Sequence, residues 1–168
     1  PSEAIGAKVL SHDPLAVGLV ILMIEWMTQQ HYIGSIRDNG DIDPLFKSLM
    51  KHHWMEEAQH AKLDTLIVDA LAVGRTEEQI DKAIDEFFEI GGFLDDGLKM
   101  QAEFNLNALE KAIGRKVEDR EALLAQQHQA ARWTYIGSGM VHERFQDALQ
   151  AISRRAAERI AEAAPIFA

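Results

Sequence analysis

The sequence predicts an all-α protein, a four-helix bundle with breaks inside its third and fourth helices. Three observations carry this expectation. The chain has only 4 prolines and no stretch of sustained polar–apolar alternation, so nothing marks a strand. Capping signatures stand ahead of long helical patterns. The turns between those patterns are short, which favours antiparallel neighbours.

The first helix is expected from Asp13-Pro14, with Asp13 as N-cap and Pro14 in the first turn, to about Arg37. Asp38-Asn39-Gly40-Asp41 is a turn cluster. Asp43-Pro44 repeats the cap-then-proline signature and opens a second helix to about Val73, stopped by Gly74. Thr76-Glu77-Glu78-Gln79 has the form of a capping box and starts the third helix. Gly91-Gly92 is expected to interrupt it, with helix resuming from Phe93 to Ile113. After the Gly114-Arg115-Lys116 turn, a fourth helix begins near Glu118. Gly137-Ser138-Gly139 weakens it, and helical pattern returns from Met140 to about Ala163.

A chain of 168 residues fits a single helical-bundle domain, 1–168, and is long enough to bury a real core. Apolar residues at 47 % and charged residues at 26 % exclude a disordered chain. The formal net charge is −10, which repels phosphate backbones and anionic lipid. No nucleic acid or membrane partner is therefore expected. The absence of cysteine excludes disulfides, thiolate metal sites and cysteine nucleophiles. With no basic leader and no apolar run near 20 residues, the expected compartment is the cytoplasm. Phe87-Phe88 reads as core or as a dimer face, and a homo-oligomer is expected.

Most of the chemistry lies in Lys51-His52-His53-Trp54-Met55-Glu56-Glu57-Ala58-Gln59-His60. His53, Glu57 and His60 are spaced i, i+4, i+7 and share one helix face. Glu57-x-x-His60 lets one helix give a carboxylate and an imidazole to the same metal. The competing reading is a solvated polar face. Glu25 adds weight to the metal, because it sits within a run that is apolar on all sides, Leu15 to Met27. A buried carboxylate needs a cation, a hydrogen-bond network or a raised pKa. The turn near residue 40 places Glu25 and Glu57 at about the same height in an antiparallel pair. The same arithmetic about residue 115 makes Glu103 and His128 level with each other.

These residues resemble the ferritin-like superfamily of di-iron carboxylate bundles. Glu25, then Glu57-Ala58-Gln59-His60, then Glu103 match the first three ligand motifs of that family in order. The resemblance spans roughly residues 15–135 and implies metal ligation by Glu25, His53, Glu57, His60, Glu103 and His128. It implies one or two iron ions, with manganese or zinc as alternatives, and oxidation or oxygen activation on oxygen and a small-molecule substrate. The fourth motif departs from the family: His128-x-x-x-Arg132-x-x-Tyr135 puts Arg132 and Tyr135 where a Glu and a His would stand. Arginine is a fixed cation and cannot be a ligand. Two outcomes stay open: a site reduced to Glu25, Glu57, His60 and His53, or a metal-free site with Arg132 paired to Glu25, Glu57 or Glu103. An iron-storage or stress protein, and a metal-free interaction module, are alternative functions. His52-His53-Trp54-Met55-Glu56-Glu57 also resembles the His-His-x-x-Glu-Glu box of hemerythrin-like oxygen-binding bundles, but residues 77–113 supply no His. Trp26, Trp54, Trp133 and Phe104 are expected to form core around the site. His31 and Tyr32 are candidates to line it.

Overall fold

A computed structural model describes residues 2–167 and is all-α. Seven helices pack together among the described residues. They are α1 (Ser2–Leu10), α2 (Pro14–His31), α3 (Pro44–Ala72), α4 (Glu77–Ile113), α5 (Arg120–Arg132), α6 (Glu143–Ile152) and α7 (Arg154–Ala163). A π-helical turn, Tyr32–Ile36, extends α2, and a second, Trp133–Gly137, carries α5 into a last turn, Ser138–Met140.

The starts are set as the capping residues require. Asp13 and Asp43 accept backbone N–H bonds from Leu15 and from Leu45 and Phe46, each ahead of a proline in the first turn. Thr76 and Gln79 close a reciprocal capping box on α4. Each such cap stabilises its helix by about 1 kcal/mol. Gly74 and Gly114 take left-handed φ values of 76° and 68°, where a side chain would be strained, and end α3 and α4.

The structure differs from the sequence reading at four places. α1 was not anticipated. α4 runs 37 residues without a break at Gly91-Gly92. Ile84, Phe87 and Ile90 before the pair, and Ala102 and Leu106 after it, are buried on one continuous face. That burial outweighs a helix cost of about 1 kcal/mol per glycine. A Cβ built on Gly92 meets nothing within 4 Å. Gly92→Ala should therefore stabilise the fold by about 0.5–1 kcal/mol, read from urea unfolding midpoints. The third correction is at Ser153, which divides the expected final helix into α6 and α7. Its extended backbone ends α6, its hydroxyl accepts the Ala156 N–H that starts α7, and the same hydroxyl donates to Glu77 at 2.8 Å.

The fourth difference is the architecture, of which the all-α packing of seven helices among the described residues is shown. α2 lies at the centre, with Leu15, Ala16, Leu19, Leu22 and Met23 fully buried. It contacts α3, α4, α6 and the last turn of α5. Phe87 of α4, Phe145 of α6 and Ile160 of α7 complete the core. The outer half of α4 pairs with α5 as an antiparallel arm, in which α5 buries no residue fully. The arrangement is thus a central helix with neighbours and an arm, and a ferritin-like four-helix bundle is not established by it. No helix among the described residues is long and apolar enough to cross a membrane.

The register of α2 on α3 positions the site. The Gln29 amide donates to the Trp54 carbonyl at 3.1 Å, and Tyr32 stacks on Trp54 at 5.1 Å. At the other end, Gly18 faces Val68 and Leu71. These pairs run in opposite directions along the two helices, so Glu25 and Glu57 meet between them.

Candidate metal centre

Glu25 leaves α2 from its half-buried side, and Glu57 and His60 leave α3 from the face turned toward it. One ligand atom from each of the three lies within 4.8 Å of the other two. This is the one such His/Asp/Glu group among the described residues. Carboxylate and imidazole bonds to a first-row ion are about 2.0–2.2 Å, so its ligand atoms stand roughly 3–4 Å apart. Shortening separations of at most 4.8 Å by about 1–2 Å, with rotation of the half-exposed His60 side chain contributing, would close the group on an ion.

Its electrostatics are those of two carboxylates sharing one place. Glu25 Oε2 is buried and has no hydrogen-bond partner. Burial first, then the neighbouring Glu57 carboxylate and Asp64, push the Glu25 pKa up to about 7. Burial also acts to raise Glu57, but hydrogen bonds from His60 and from the protonated Glu25 carboxyl, and then the charge of nearby His53, hold it below the usual range. His60 Nδ1 lies 2.7 Å from Glu57 Oε2, and His53 Nδ1 3.2 Å from Glu57 Oε1. The bond to Glu57 raises the His60 pKa, so in this state His60 donates and Glu57 accepts. A divalent cation would replace the shared proton and give the unpartnered oxygen a partner, so these residues fit a metal.

Of the expected ligands, then, Glu25, Glu57 and His60 come together, with His53 beside Glu57. Glu103 and His128 are level with each other, as their spacing requires, and line a pocket of about 300 Å³ on the arm. They do not join the Glu25 group. His128 Nε2 bonds Asp95 at 2.8 Å, and Arg132 grips the same carboxylate through Nε at 3.1 Å and Nη2 at 2.8 Å. Arg132 is thus paired to Asp95, not to Glu25, Glu57 or Glu103, and its guanidinium also covers the Phe167 ring. Tyr135 is exposed. Trp26 and Trp54 are half-buried, but Trp133 and Phe104 are exposed rather than core. Tyr32 is buried against Trp54, while His31 faces a different pocket shared with Trp133.

No protein-family model, curated protein or solved structure matches this chain. The centre is therefore read from its own geometry. One residue of that geometry escapes the motif: Asp64, whose pKa burial raises and whose charge acts on Glu25. It continues the His53, Glu57, His60 series by one more turn of α3, and that spacing is the signal that finds it.

The crowding has a stability consequence with a definite sign. A raised carboxylate pKa means the folded state holds a proton that the unfolded state releases between pH 4.5 and about 7. Metal-free protein therefore loses stability as pH rises through that window. The raised His60 pKa acts in the same direction above 6.5. Glu25→Gln removes the larger contribution. It should raise the stability of metal-free protein at pH 8 by about 1–3 kcal/mol and flatten the pH 5–8 slope, measured by urea denaturation.

Proposed function

We propose that the chain is a non-haem metal protein whose Glu25, Glu57 and His60 hold one first-row divalent ion, iron foremost, with manganese or zinc as alternatives. The observation that carries this reading is the meeting of three ligand atoms from two helices around a buried, unpartnered carboxylate oxygen. Three protein ligands leave coordination positions free for water, oxygen or a small molecule. Bound iron would supply one-electron oxidation or oxygen activation. Within the chain, Glu25 surrenders its shared proton to admit the cation. Glu57 is held in place by His53, and His60 contributes the nitrogen that raises preference for iron or zinc over magnesium and calcium.

Iron handling is a second reading of the same site, favoured by the exposure of His53 and His60, about half in each case, which leaves the ligands open to incoming ions. Anaerobic loading with Fe(II), followed by oxygen consumption and a search for Fe(III) release or mineral, separates the readings. Oxygen uptake that stops at one equivalent of iron supports a catalytic centre, and uptake that continues with added Fe(II) supports handling. No uptake above that of a Glu57→Ala control would remove the redox part of the proposal.

A further inference from the structure

We propose that the outward face of α3 is the contact surface of an antiparallel homodimer, with a second copy of this helix as its occupant. α3 is a helix of 29 residues in which only Ala61 and Val68 are fully buried. Its side opposite the core should be charged, as on most surface helices. It carries instead Leu45, Leu49, Met55, Leu63, Leu66, Ile67 and Val73, each between 42 % and 80 % exposed. Their spacing places them along one stripe about 40 Å long, with Ser48, His52, Glu56, Gln59 and Ala70 among them. Isolated exposed leucines need no explanation, but seven large apolar side chains aligned on one helix face do. At roughly 100 Å² for each of these side chains, the stripe offers about 700 Å², close to the ~800 Å² per partner of a standard stable interface.

A second copy is the occupant because the stripe is complementary to itself. Gln59 stands midway between Leu45 and Val73. About a two-fold axis at Gln59, Leu45 meets Val73 of the second copy, His52 meets Leu66 and Met55 meets Leu63, while Leu49 falls level with Asp69 and one residue from Ala70. Gln59 meets its own mate, and an amide carries both the donor and the acceptor that such a pairing needs. A polar residue in an apolar seam also fixes register. Lys51 and Asp69 are five helical turns apart and so lie on the same flank. Antiparallel pairing sets each Lys51 within about 3 Å, along the axis, of the second copy's Asp69. Parallel pairing would instead keep Lys51 and the second copy's Asp69 about 27 Å apart along the axis. Glu57 stays turned toward α2, outside the contact.

Sedimentation equilibrium and light scattering on metal-free protein at 10–200 µM test this. The expected species has twice the 18.8 kDa chain mass. Leu49→Glu with Leu66→Glu should convert it to monomer with an unchanged helical circular-dichroism spectrum, since both side chains are exposed. Lys51→Glu should weaken the dimer about tenfold, and adding Asp69→Lys should restore it. In this cysteine-free chain, Gln59→Cys should crosslink to itself on oxidation, whereas Ala108→Cys on the arm should not. A monomer throughout the range, a dimer indifferent to the two glutamates, or equal crosslinking at 59 and 108 would each overturn the proposal.

Discussion

Glu57→Ala should lower metal affinity at least 100-fold, about 3 kcal/mol, while leaving helical content unchanged. Glu57 is the hub of the centre: His60 binds one of its oxygens, His53 approaches the other, and Glu25 shares its space. Its removal takes away one ligand, frees the second to rotate, and leaves the third without the neighbour that fixes it. Two comparisons show that the loss is local. His128→Ala should leave affinity within about twofold, because His128 serves Asp95 on the arm. His53→Ala should cost an intermediate factor near tenfold, since that ring orients Glu57 from outside the three-atom group. Competition against a fluorescent chelator, run alongside circular dichroism, provides the measurement.

Gly139→Ala should destabilise the fold by about 3 kcal/mol or more, one of the largest effects expected from adding a single methyl group. The last turn of α5 crosses α2 there so closely that a Cβ would strike the Met23 carbonyl oxygen and side chain. Met23 is fully buried in the central helix, so neither partner can yield without shifting a helix. Gly137 makes a useful contrast. A Cβ there would meet the Trp133 ring, at 2.6 Å, but that ring is partly exposed and can rotate aside. Gly137→Ala should therefore cost less than half as much. Urea denaturation of both variants at one pH decides the order.

What the sequence disclosed, and what it hid, follow a physical division. Helix starts were legible at Asp13, Asp43 and Thr76, because a cap is a local event involving four or five consecutive residues. The meeting of Glu25 with Glu57 was legible too, because two antiparallel helices joined by one short turn leave little freedom of register. Glu103 and His128 obeyed the same rule within their own hairpin. What spacing could not supply was how one hairpin docks on the other. The α4–α5 pair extends as an arm, with His128 and Arg132 held by Asp95, instead of folding over the Glu25 group. The uninterrupted α4 has a similar origin, since local glycine cost was visible in the sequence but the opposing burial of Phe87, Ile90 and Leu106 was not. Ser153 gave a weak local signal, because a serine ends one helix and starts another only when its extended backbone and its bond to Glu77 are in place.

The most direct test of the metal centre is to load metal-free protein with Fe(II) under anaerobic conditions, remove free ion, and measure iron content together with the X-ray absorption fine structure of the bound metal. The account predicts about one iron per chain, with oxygen ligands and an imidazole shell at about 2.0–2.2 Å, and the loss of that iron in Glu57→Ala. Less than about a tenth of an equivalent of iron, manganese or zinc, or full occupancy surviving in Glu57→Ala, would contradict it.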